Sequence, residues 1–231
     1  VGEQAAFCAS AATPATVTTT PPSSGDCGTF YYSGKRISYQ SSFQSSGLSG
    51  TTTSTVTRTY DSTPVTFNGQ AATRIVDTPV PGDPSYNYIV DGTNSWSFLG
   101  SRSTSNGVAQ DTYFTPPQVY PKSMTIGQTI NMNQTVSFNP ASFLGNATLT
   151  GTIVLTSRES VTVPAGTFAN ACKFTINQTT TYPSVGSTSN TRTIAWIAPG
   201  VGNVRSEVTD TSSVLGQSVV STTVLIATSV Q

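Results

Sequence analysis

The sequence predicts an all-β protein: a single antiparallel curved sheet or half-barrel, or a sandwich, with an extended N-terminal tail. Two observations carry this. Short runs rich in Val, Ile, Thr, Tyr and Phe recur along the chain, separated by Gly, Pro, Asn and Asp turn signals every ten residues or so. Long 3.6-residue periodicity is missing throughout. The chain divides into residues 1–27, an extended Ser/Thr/Pro-rich tail, and residues 28–231, the β domain.

The elements follow in order. Residues 11–22 contain three prolines and no amphipathic period, so alone they form a tail or linker. Their middle, Ala15, Thr16, Val17, Thr18, Thr19 and Thr20, has strong β propensity and reads as a donor strand seeking a sheet edge. Thr29–Tyr39 and Thr51–Tyr60 are strands. Val65–Phe67 and Ala71–Val76 flank Asn68-Gly69, and Tyr86–Val90 and Ser95–Leu99 flank Asp91-Gly92, two tight-hairpin signals. Asp77–Pro84 and Ser101–Gln110 read as loops. Pro116, Pro117 and Pro121 exclude a central strand there. Met124–Ile130 and Thr135–Phe138 follow, and Ala141–Gly145 is expected to form one helical turn. Thr148–Ser157 and Ser160–Val163 are strands interrupted at Arg158-Glu159. Ala171–Tyr182, Thr191–Ile197, Val204–Thr211 and Val219–Val230 complete the set.

Composition narrows the function. The 231 residues carry 10 Lys+Arg against 10 Asp+Glu, no His, and only 9% charge. A chain so poor in cations cannot neutralise phosphates, which excludes nucleic acid as a partner. Without histidine there is no His base and no His metal site. No apolar run is long enough for a transmembrane helix. Ser and Thr make up about a third of the chain, well above ordinary usage. The absence of net charge leaves association between copies unopposed.

Cys8 and Cys27 bracket the tail and are the candidate disulfide. Closing that loop would stabilise the chain by roughly 3 kcal/mol. Free thiols, or a Cys27–Cys172 bond, are the alternatives. The start at Val1, the scarcity of Lys and the Ser/Thr content together indicate a mature chain lacking its signal peptide. Its expected place is outside the cell or on its surface, with the periplasm as second choice.

Residues 117–207 hold an ordered series of motifs. Pro117-Gln118-Val119-Tyr120-Pro121 precedes Met124-Thr125-Ile126-Gly127-Gln128. Then come Val161-Thr162-Val163-Pro164-Ala165-Gly166-Thr167-Phe168 and Trp196-Ile197-Ala198-Pro199-Gly200-Val201-Gly202. The series resembles uncharacterised secreted, periplasmic or lipoprotein β-proteins of proteobacteria, whose fold is similar to the half-open barrel of lipoprotein-carrier proteins. The resemblance implies a fold more than an activity, because its motifs are turns and core residues. Pro164 fixes φ, Gly166 permits positive φ, and Phe168 covers the core beside that turn. Trp196 anchors a strand end, and Gly200 and Gly202 release the backbone. The lipoprotein members' Cys is absent from residue 1, so no lipid anchor is expected.

A search for chemistry finds none. No Gly-x-Ser-x-Gly elbow exists, and the acids stand mostly beside Gly, Pro, Ser or Thr as turn formers. Asp83, Asp91 and Asp111 lack the dense oxygen-ligand loop of a calcium site. No catalytic residue, cofactor or metal is therefore expected. The sequence reads as a non-enzymatic structural subunit of an extracellular fibre or surface assembly, its partners copies of itself. In that reading the tail strand adds to a neighbour's sheet. The alternative is a binding module holding a lipid or other apolar ligand in a half-barrel cavity.

Overall fold

The computed structural model describes Cys27 and residues 34–47, 49–61, 63–105, 107–214 and 217–231. Thirteen strands run in chain order: β1 (Ile37–Ser45), β2 (Thr52–Tyr60), β3 (Val65–Phe67), β4 (Gln70–Val80), β5 (Ser85–Asp91), β6 (Ser95–Ser105) and β7 (Val108–Pro121). They continue with β8 (Thr129–Asn139), β9 (Ala147–Val163), β10 (Gly166–Tyr182), β11 (Ser187–Ala198), β12 (Gly202–Val214) and β13 (Gln217–Val230). A 3₁₀ turn, Pro183–Val185, joins β10 to β11. Among the described residues there is no α-helix.

Every pairing is antiparallel, and the strands meander to their sequence neighbours. Two long-range ladders complete the ring. β1 pairs with β13, and β2 pairs with β4 from Thr55↔Val80 to Tyr60↔Ile75. β3 pairs with β4 alone, so the other twelve strands form a closed barrel. This corrects the expected open half-barrel or sandwich. Asp77–Val80, read as loop because of its prolines, extends β4 and supplies four of the six residues that pair with β2. Local turn signals carry no information about such a distant partner.

Other boundaries shift for related reasons. Ser101–Ser105 and Val108–Gln110 are paired strand, since hydroxyl-rich residues suit a half-solvated sheet. Arg158-Glu159 does not interrupt β9, because Glu159 and Arg158 pair with Ala171 and Cys172. Ala141–Gly145 contains no helical turn.

Cross-strand partners share a face, so register divides inside from outside. The inner face carries the largest core cluster, with Ile75, Ile89, Trp96, Met132, Val136, Leu149, Ile153, Phe174, Ala195 and Ile197 drawn from seven strands. Cys27 and Cys172 are fully buried in the same cluster and form a disulfide with Cα atoms 5.5 Å apart. This corrects the Cys8–Cys27 pairing. The nearer cysteine in sequence lost to one that the barrel core holds within bonding range. Cys8 and the tail lie outside the described residues.

Two glycines mark close backbone approaches. A Cβ on Gly100 would stand 2.0 Å from the Thr112 carbonyl oxygen, and one on Gly151 2.0 Å from that of Asn177. Two smaller clusters complete the core. The β9–β10 hairpin brings Val161 and Val163 into a cluster with Trp196, Ala198, Val201 and Val204. The short β3 presents Phe67, stacked on Tyr88 at 3.8 Å, beside Leu99.

Candidate functional site

One seam of the barrel is built differently from the rest. β7 and β8 are paired only from Asp111↔Asn139 to Thr115↔Thr135. Beyond that point no ladder pair joins residues 116–121 to 129–134. The local cause is Pro116, Pro117 and Pro121, which have no N–H to donate. These prolines were expected to exclude a central strand. They are tolerated because Pro116 and Pro117 fall where the β6–β7 register shifts and pair with neither neighbour, while Gln118–Pro121 pairs with β6 alone.

Side chains bridge the seam instead. Gln134 donates from Nε2 to Gln118 Oε1, and Gln118 Nε2 donates to the Val119 carbonyl at 3.1 Å. Both glutamines are buried, at 5% and 6% exposure for Gln118 and Gln134. Behind them lies a cavity of about 70 Å³, walled by Phe98, Phe114, Tyr120, Met132, Leu149 and Gln178. Tyr120 stacks on Trp96 at 4.0 Å, and Phe98 leans on Phe114 at 5.2 Å. Gln178 donates to Met132 Sδ. Gln134 Oε1 is buried and accepts no hydrogen bond.

The inner face turns polar across β10 to β12. Gln178 stands opposite Thr191, and Thr191 opposite Asp210. Asp210 accepts from Ser189 and Thr191, each at 2.7 Å on Oδ2, and from Ser212 on Oδ1. Burial alone would raise the Asp210 carboxyl. The hydrogen bonds from Ser212, Ser189 and Thr191 outweigh it and hold its pKa below the ordinary value. Burial first, and the Asp210 charge second, push Tyr182 upward. Arg58 and Asp77, directly opposite on β2 and β4, form a bidentate pair at 2.6 and 2.7 Å.

Across β9 to β11 the outer face is polar. Thr150, Thr152, Asn177, Thr179, Asn190 and Arg192 share it across β9 to β11. They border a shallow groove of about 480 Å³. No described helix is long and apolar enough to cross a membrane.

The residues singled out from sequence fall elsewhere. Pro164 sits in the β9–β10 turn, Gly166 begins β10 with φ +135°, and Phe168 packs partly buried on the cluster of Val161 and Val163. Trp196 is buried there, donating from Nε1 to Glu159 Oε1 at 2.7 Å, with Lys173 and Arg205 over its ring. That hydrogen bond first, and Lys173 next, lower the Glu159 pKa. Gly200 and Gly202 have φ of +76° and +112° around the β11–β12 turn. None of these lines the cavity, and residues 15–20 lie outside the described part. Among the described residues no group of acids and cysteines could hold a metal. Gln118 and Gln134 went unnoticed. Alternation along Met132, Gln134 and Val136 placed a polar residue at a core position, which is the signal that could have found it.

Comparison with known proteins adds three findings. Residues 116–225 match the model of the DUF3108-like family. No curated protein matches the chain. Among solved structures, it is similar to a "putative exported protein with YmcC-like fold" from Bacteroides fragilis, at 14% identity and TM-score 0.50, covering 87% of this chain and 96% of that one. It also matches a "putative lipoprotein" from Parabacteroides distasonis at 14% identity and TM-score 0.42, covering 89% of this chain and 100% of that one. At such identity the first likeness is one of fold: the barrel is of the YmcC-like kind.

Proposed function

We propose that this chain is an exported, non-catalytic binding barrel whose ligand places one hydrogen-bonding group against Gln134. The carrying observation is Gln134 Oε1: a buried acceptor with no partner, beside a cavity walled by aromatic side chains. Leaving a buried acceptor unsatisfied costs about 1–3 kcal/mol. A ligand hydroxyl or amide N–H removes that cost. The fold likeness to an exported protein supports a place outside the cytoplasm, and the absence of His, together with the Asp210 carboxylate already engaged by three hydroxyls, favours binding over catalysis.

Size decides which ligand. A pocket that encloses a whole drug-sized ligand has about 300–1,000 Å³. At about 70 Å³ this cavity takes a space nearer to two waters. It accommodates the end of a slender molecule, such as a short primary alcohol or amide, and not a lipid acyl chain. The self-assembling alternative depends on residues 15–20, which lie outside the described part.

Saturation-transfer NMR with 1-butanol and propionamide as probes tests the reading. The intact protein is expected to give transfer to both, and Gln134→Leu to give neither while keeping its circular dichroism. Equal transfer in Gln134→Leu, or none in the intact protein, overturns the assignment.

A further inference from the structure

Strand direction sorts the hairpins into two ends. β1, β4, β6, β8, β10 and β12 all finish at one end, because each pairs antiparallel with its neighbours around the ring. That end carries most of the exposed large apolar side chains. Phe143, in the β8–β9 connection, is 90% exposed; Val80, closing β4, is 65% exposed; Val108, opening β7, is 60% exposed. Phe43, Val219 and Val220 lie within four residues of the same end and are also exposed. The tips come from separate hairpins spread around the barrel.

Charge is scarce in the connections at this end, and the Arg102–Asp111 pair and Asp77 stand three residues inside it. Asp83 is the single charged residue among the described residues of the connections at this end. The opposite end holds Lys35 and Arg36 together with the pairs Arg74–Asp61 and Lys122–Asp91.

We infer that the Phe143 end docks onto the surface of an electrically neutral lipid bilayer. Several separate apolar tips around one end of a cylinder match a plane, and a bilayer interface accepts each tip without a shaped pocket. A protein partner would call for one contiguous apolar patch. With one charge in the connections, and the nearby Asp77 and Asp111 each paired to an arginine, the attraction does not depend on anionic lipid or on ionic strength. The polar outer wall across β9 to β11 keeps the barrel standing on the surface rather than sunk in it.

Co-sedimentation with phosphatidylcholine vesicles tests this, using the intact chain and a Val80→Ser, Val108→Ser, Phe143→Ser triple variant. The three positions are exposed, so the variant keeps its fold, checked by its melting temperature. The intact chain is expected to sediment with vesicles equally at low and high salt, and the triple variant about tenfold less. Absence of vesicle binding, binding abolished by salt, or an unaffected triple variant overturns the inference. Self-association without vesicles that the triple variant abolishes also overturns it, and makes this end an interface between copies.

Discussion

Replacing Cys27 and Cys172 together by Ala removes a bond spanning 145 residues of sequence between two fully buried side chains. On the chain-entropy account, opening a loop of that length costs about 5 kcal/mol, against roughly 3 kcal/mol for a loop the size of Cys8 to Cys27. At about 2–4 °C per kcal/mol for a protein of this size, the melting temperature falls by about 10–20 °C. Differential scanning calorimetry at neutral pH reads this directly. Cys172→Ala alone should give nearly the whole loss, and Cys8→Ser none. The opposite result, a loss on Cys8→Ser with Cys172→Ala unaffected, would refute both the pairing and the reasoning that the core, rather than sequence proximity, selected it.

Gln134→Leu removes one unsatisfied acceptor but orphans the buried Gln118 Oε1 that Gln134 serves, so stability should fall by no more than about 1–3 kcal/mol; urea unfolding measures it. Gly151→Ala should cost more than about 3 kcal/mol, because its Cβ cannot coexist with the Asn177 carbonyl and the backbone must shift; loss of soluble protein or a much lower urea midpoint shows it. Trp196→Phe keeps the ring in its cluster but removes the hydrogen bond to Glu159. The carboxyls of Glu159, Asp111 and Asp210 all lie below their ordinary values when folded, Asp111 chiefly through its hydrogen bond to Arg102. Each therefore contributes stability above the unfolded carboxylate pKa that is lost as pH falls through the folded value. Melting temperature should drop on acidification below about pH 4, and Trp196→Phe should make that drop shallower.

What the sequence determined by itself was local. Asn68-Gly69 closes the β3–β4 hairpin with φ of 48° and 74°, the conformation those two residues adopt readily. Val163-Pro164-Ala165-Gly166 reverses β9 into β10, and Pro199-Gly200-Val201 turns β11 into β12. The all-β class followed from these turns and from β-branched runs, since both act over a few residues. Three features were decided only in the folded state. Closure of the ring depends on β2 meeting β4. The disulfide depends on Cys27 reaching the core beside Cys172. The candidate site depends on two glutamines, sixteen positions apart, facing one another across a seam that prolines leave unpaired. The gathering of most exposed apolar tips at one end of the barrel was likewise supplied by tertiary structure. Turn chemistry acts between neighbours and is written in the chain. Closure, pairing of distant cysteines and the division of a barrel into two ends arise from register, and register exists only once the strands have met.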